Sequence, residues 1–330
     1  MSGASIPYHL RPNKAIDRYA FLELLSKIDK YSDCDVFHYK YIGFGGHSLE
    51  DFKYIHSRFG IGNMISIEED TEVYNRQKFN QPHNCIDCIQ QSSDDFINEF
   101  QRTDPTIIWL DYVRPSDLRK QIEEFQATIN KLEPLDIIKI TVNSHPASYV
   151  ASHKGMNSFE LQASRINKLN TMLGDIFPLA DVTANMMTEK RFPEALCLVL
   201  KYAANLAMVG KSDIYFQPLS AFSYADGQQM LTVTGILLES AKNQEFLNQT
   251  NIDKWELSNI DWKEPRRINV PDLTIKERLH IDSRLPNSKA KEIQDELGFL
   301  FNSKENISLE MLETYILFYR QSPYFSRILV

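Results

Sequence analysis

Residues 36–59 constrain the possible fold more than any other part of the chain. An aromatic and β-branched run, 36–42, leads straight into Gly43-Phe44-Gly45-Gly46. Leu49, Phe52, Ile55 and Phe59 then recur at helical spacing. A strand that turns through glycines into a helix opens a nucleotide-binding βαβ unit. Glycines there accept left-handed backbone and let a ligand approach the main chain closely. The first turn of the helix offers N–H groups with no partner inside the helix. Ser48, with Asp51 three residues later, has the spacing of an N-cap and its capping-box partner.

Alternation continues from there. Strand-like runs at 64–67, 85–90, 106–110 and 136–142 are separated by helical patterns at 71–79, 94–100 and 116–132. Such alternation predicts a parallel sheet with helices on both faces. The apolar string Ile107-Ile108-Trp109-Leu110 suits a strand buried on both sides. Residues 157–209 read as mostly helical. Two β-rich runs, 214–225 and 228–238, meet across Asp226-Gly227, a strong hairpin signal. An irregular connector with Trp255, Trp262 and Pro265 follows, then helical patterns at 293–301 and 309–319. A helix at 14–28 comes before all of this, behind a polar arm with Tyr8, His9 and Arg11. The expected organisation is an arm and helix over 1–34, an α/β domain over 35–242 and a small helical extension over 243–330.

Composition excludes some roles. A net charge of −8 argues against a surface that clamps nucleic acid. Lys263, Arg266, Arg267, Lys276, Arg278 and Arg284 read as a solvated linker and helix face. Apolar stretches are interrupted well short of membrane-spanning length, and the first five residues carry no apolar leader. A cytoplasmic protein is expected. Cys85 and Cys88 form a C-x-x-C with no second pair, so they read as reduced thiols, and no metal is expected.

The loop's surroundings suggest its ligand. Glu68 ends the second strand about 25 residues after the loop, where a carboxylate accepts ribose hydroxyls; Glu69 is the alternative. The helix after the loop begins with Glu50 and Asp51. Carboxylates there repel a pyrophosphate and tolerate a cation. Position 48, where a dinucleotide fingerprint has its third glycine, is Ser48. These features favour S-adenosylmethionine (SAM), with its sulfonium and ammonium groups, over a nicotinamide dinucleotide.

In the order glycine loop, acidic strand end, late Asp-Gly hairpin, residues 35–240 resemble the class I SAM-dependent methyltransferases. The segments at 41–52 and 108–112 are similar to those of bacterial O-methyltransferases. The resemblance implies a Rossmann-like α/β fold with a mostly parallel seven-stranded sheet and a terminal antiparallel hairpin. It implies that the loop of Gly43, Phe44, Gly45 and Gly46 holds the methionine part of SAM and Glu68 its ribose. It further implies that Ser93 and Asp94 approach the adenine and that Asp111 sits beside the point of methyl transfer. Two departures stand out. The loop is Gly-x-Gly-Gly rather than Gly-x-Gly-x-Gly, and Asp111-Tyr112-Val113-Arg114 replaces the Asp/Asn-Pro-Pro-aromatic motif of nucleobase amino-methylating enzymes.

Methyl transfer to oxygen is an in-line displacement that needs alignment and a base. Asp111, Tyr112 and His145 lie at C-terminal strand ends, where α/β sites form, and His145 is the preferred base. Tyr8, His9 and Arg11 form a candidate substrate-binding arm, Arg11 suiting an acidic group. The reading is a SAM-dependent O-methyltransferase acting on a small molecule, with no membrane partner and compatible with a homodimer. The alternatives are a non-catalytic SAM- or nucleotide-binding scaffold of the same fold and an NAD(P)-dependent oxidoreductase.

Overall fold

Five apolar runs pair in parallel. They are β1 (Lys40–Gly43), β2 (Asn63–Glu68), β3 (Ile86–Gln90), β4 (Thr106–Asp111) and β5 (Ile137–Asn143). The structure, a computed structural model, describes residues 11–152 and 155–322. Parallel pairing requires crossovers, here α2 (Glu50–Phe59), α3 (Thr71–Asn80), α4 (Ser93–Glu99) and α5 (Leu118–Lys131). After α1 (Pro12–Ile28) and these units come α6 (Ser158–Leu173) and α7 (Phe192–Ala207). The hairpin of β6 (Ile214–Asp226) and β7 (Gln228–Glu239) then adds to the sheet, with β7 antiparallel to β5. Gly227, at φ 102°, makes its turn.

The remaining elements are α8 (Asn243–Thr250), β8 (Arg266–Ile268), α9 (Ile275–Asp282), α10 (Ala290–Leu297) and α11 (Glu305–Phe318). The strand order is β3-β2-β1-β4-β5-β7-β6-β8, so the sheet has eight strands rather than the expected seven. The additional strand, Arg-Arg-Ile, is too short to show a period of two, and two of its three residues are exposed arginines. β3 begins at Ile86, which leaves Cys85 just ahead of the strand and Cys88 buried within it.

The chain forms two compact units. One is built on Leu22–Ser223 and Gln228–Arg266, the other on the start of α1, Tyr224–Gly227 and residues 267–322. In the first, alternate strand residues Ile42, Ile108, Leu110, Ile138, Ile140 and Val142 pack with α4, α5 and α7. Leu118, Ile122, Phe125 and Ile129 give α5 its apolar stripe, each fully buried and worth about 1.5–3 kcal/mol in transfer free energy. On the other face, Tyr41 meets Phe52 of α2 edge-on at 4.9 Å.

In the second unit, Asp226 caps α1. Its carboxylate accepts from the Lys14 N–H at 2.7 Å and the Asn13 side chain at 2.9 Å. Pro12 has no N–H to leave unpaired at that end. Tyr315 of α11 donates to Asp282 of α9 at 2.7 Å. Among the described residues, no helix is long and apolar enough to cross a membrane.

At the N-terminal edge of the parallel strands, Asp136 is fully buried. It accepts from the Thr106 and Glu133 N–H groups, each at 2.8 Å, and from Arg102 at 3.2 Å. Burial raises its pKa, and the backbone donors and Arg102 act against that rise. Asp136→Ala removes the shared acceptor and strands its donors in an apolar setting. The expected loss is about 3–5 kcal/mol, measured as a lower urea midpoint with an unchanged m-value.

Candidate functional site

β1 delivers the glycine loop to the C-terminal edge of the parallel strands, and the loop is packed without slack. A Cβ on Gly45 would lie 2.3 Å from Leu49 Cδ2, 2.6 Å from Ser66 Oγ and 3.1 Å from Phe52. The Gly45 N–H donates to Ser66 Oγ at 3.1 Å, and its carbonyl accepts from the Leu49 N–H at 2.9 Å. Gly46 is left-handed at φ 51°. The N-cap of α2 is Leu49, also left-handed, and not Ser48 as the capping-box spacing suggested. Packing explains the difference. A left-handed leucine costs about 1–2 kcal/mol, and burying this one completely returns roughly 1.5–3 kcal/mol. Glu50 and Asp51 do occupy the first turn of α2, and Glu50 pairs with Lys53.

Glu68 ends β2, half-buried, and accepts from the Asp70 N–H at 3.0 Å. Burial raises its carboxyl pKa above the usual range. Glu69 is exposed and pairs with Arg114, beyond β4, at 3.3 Å. Ser93 opens α4, and its hydroxyl donates to Glu124 of α5 at 2.8 Å. Asp94, half-exposed, accepts from Asn98 at 3.3 Å and lies 3.8 Å from Lys120.

Asp111 closes β4 opposite Thr141 of β5. The next residue, Tyr112, also donates its hydroxyl to Glu124 and meets Phe44 edge-on at 5.3 Å. Its phenol pKa is raised, first by burial and then by the Glu124 charge. Phe44, Ser93 and Tyr112 are thus brought together around α5. Phe44 and Ser93 also line a small apolar cavity with Ile67, Phe96 and Leu110. His145 follows β5, half-buried, with its N–H held by Asn143 Oδ1 at 3.0 Å. Asn143 also bonds Gln228, and its carbonyl accepts from Tyr149 at 2.8 Å. Gln229 donates to the Ser144 carbonyl at 3.0 Å, so the start of β7 holds this loop. Tyr8 and His9 lie outside the described residues. Arg11 is buried, and its carbonyl accepts from the Ala15 N–H as α1 begins.

Sequence reasoning missed several supporting residues. Ser66 is a lone hydroxyl in the apolar run Met64-Ile65-Ser66-Ile67, and that break in the pattern is a readable signal. Gln77 and Asn80 are three apart on α3; Gln77 accepts from Ser66, and Asn80 donates to the His47 carbonyl. Glu124 sits within the buried stripe of α5, where a carboxylate needs partners. Among the described residues, no group of three or more metal-binding side chains is gathered.

The family whose model matches the chain is described as "Putative O-methyltransferase", and the match covers residues 6–330. No curated protein matches at a significant level. Among solved structures, a fibrillarin/Nop5p complex aligns at 12% identity and a TM-score of 0.29, over 42% of this chain and 63% of that one. The chain therefore spans less than two thirds of that protein's length. The plantazolicin methyltransferase BamL, in complex with a triazolic desmethylPZN analog and SAH, aligns at 12% identity and a TM-score of 0.37, over 67% of this chain and 85% of that one. The N-methyltransferase NodS from Bradyrhizobium japonicum WM9 aligns at 10% identity and a TM-score of 0.35, over 68% and 96%. Likeness at these scores transfers no activity. The family match runs over nearly the whole chain, and on that ground the chain belongs to this methyltransferase family.

Proposed function

We propose that the chain transfers the methyl group of SAM to an oxygen of a small molecule. The observation that carries this reading is the glycine loop at the C-terminal end of β1, held against α2 and β2 by the close packing at Gly45. The residues beside it suit a cationic ligand. The positive end of α2 already faces Glu50 and Asp51. A pyrophosphate there would meet two like charges, which argues against the nicotinamide alternative.

SAM, when bound, supplies a methyl group on a positively charged sulfur. In this reading Gly43, Phe44, Gly45 and Gly46 hold its amino-acid end and Glu68 accepts its ribose hydroxyls. Ser93 and Asp94 flank the base, and Asp111 borders the methyl end. Glu69 is taken up by Arg114 and serves as a rim charge. His145 takes the proton of the acceptor hydroxyl. Tyr112 keeps its own proton at neutral pH, because burial and Glu124 both oppose ionisation. It acts as a wall of the site and not as the base.

Calorimetry with S-adenosylhomocysteine (SAH) and with NAD tests the cofactor. Heat is expected with SAH and none with NAD, and a silent SAH titration removes the proposal. Methyl-labelled SAM should label a small-molecule fraction of a cell extract; SAH binding with no label transfer points to a scaffold instead. His145→Gln should lower label transfer by about 100-fold or more while leaving SAH affinity near that of the parent. Equal transfer by variant and parent would remove His145 as the base.

Glu68 gives a pH test. Its carboxyl pKa is raised by burial, and only the ionised form accepts both ribose hydroxyls. SAH affinity should therefore fall as pH drops through that raised pKa. Glu68→Gln should bind about tenfold or more weakly at neutral pH, since charged hydrogen bonds are worth roughly 1.5–3 kcal/mol. The same variant should lose the pH dependence, and an unchanged slope would assign it to another group.

A further inference from the structure

The glycine loop rests on a polar relay that stability alone does not explain. Gly45 N–H donates to Ser66 Oγ at 3.1 Å, and Ser66 Oγ donates to Gln77 Oε1 at 3.3 Å. Ser66 and Gln77 are both fully buried. Gln77 Nε2 is also buried and has no hydrogen-bond partner. Turning the amide over would leave Oε1 without a partner instead, because Ser66 supplies only one contact. A buried amide that satisfies only one of its polar atoms is costlier than an apolar side chain of the same length. One turn further on, Asn80 Nδ2 donates to the His47 carbonyl at 2.8 Å from the exposed side of α3. Helix α3 therefore acts on the loop by two routes, through Ser66 of β2 in the interior and directly at His47 on the surface.

We infer that α3 is the positioning element of the cofactor loop. Gln77 sets the Ser66 hydroxyl so that it receives the Gly45 N–H, and Asn80 fixes the His47 carbonyl. This rests on the reading of the loop as a SAM site. Its physical content is that the two side chains raise cofactor affinity by removing alternative loop conformations, with no contact to the cofactor itself. Affinity and stability then separate. A methionine at 77 keeps the length of glutamine and removes the unpartnered amide. It frees the Ser66 hydroxyl to rotate away from Gly45.

The test compares Gln77→Met and Asn80→Ala with the parent by thermal melting, SAH calorimetry and hydrogen exchange at residues 43–48. Gln77→Met should melt at or above the parent temperature. It should bind SAH about three- to tenfold more weakly, the range set by one lost hydrogen bond. Its Gly45 amide should exchange faster. Asn80 is exposed, so Asn80→Ala leaves folding intact and keeps the test decisive if Gln77→Met does not fold. It should weaken SAH binding by about threefold with the melting temperature unchanged. Parent-like SAH affinity and parent-like loop exchange in either folded variant overturn the inference. So does a loss of affinity that only tracks a loss of melting temperature. If the parent itself fails to bind SAH, the SAM reading fails, and faster or unchanged exchange of the Gly45 amide still decides whether α3 holds the loop.

Discussion

The backbone at Gly45 lies against Leu49, Phe52 and Ser66 with no room for a side chain, and the geometry of the strand edge follows from that contact. An added carbon would displace residues from both α2 and β2, where overpacking costs about 1–3 kcal/mol. The contact joins the end of β1, the start of α2 and the middle of β2 into one block. Gly46 and Leu49 turn left-handed to complete the approach. Helix α2 consequently begins at Glu50, and its two leading carboxylates arrive at the strand edge together.

Charge is arranged differently at the two edges of the parallel strands. Glu50, Asp51, Glu68, Glu69, Asp94 and Asp111 collect near their C-terminal edge, where Lys53, Arg114 and Lys120 answer some of them. The Glu69–Arg114 and Asp94–Lys120 pairs are largely exposed, so each contributes little to stability. The carboxylates outnumber the cations at this edge, and a surplus of negative charge attracts cations. At the N-terminal edge, Asp136 is enclosed by two N–H groups and Arg102. That carboxylate acts on the fold, and both of its oxygens are taken up by those donors.

Much of the architecture was legible because it depends on periodicity. The apolar strands, the intervening helices and the Asp226-Gly227 hairpin each leave a pattern several residues long. β8 did not, since three residues cannot show a period. The N-cap of α2 was misread for another reason. Ser48 and Asp51 match a local rule, but tertiary burial of Leu49 outweighs it. Of the candidate site, the placement of its residues at strand ends was legible because alternating strands and helices fix which ends share one edge. Ser66, Gln77 and Glu124 were not, because each depends on a partner distant in sequence. Ser66 and Glu124 leave one readable trace, a polar residue within an otherwise apolar pattern, and Gln77, in a polar helix, leaves none.

Those exceptions share a physical logic. Ser66 with Gln77, and Glu124, the last accepting from the half-buried Ser93 and Tyr112, are buried polar groups in a core that apolar side chains of the same size would fill at less cost. Each set binds a loop at the C-terminal edge: the glycine loop in the first case, the starts of α4 and of the β4–α5 connection in the second. Apolar packing would leave those loops more conformations, because dispersion contacts are not directional. Hydrogen bonds are directional, so they hold backbone amides and side chains in one geometry. A site whose chemistry needs two atoms in line gains from that directionality.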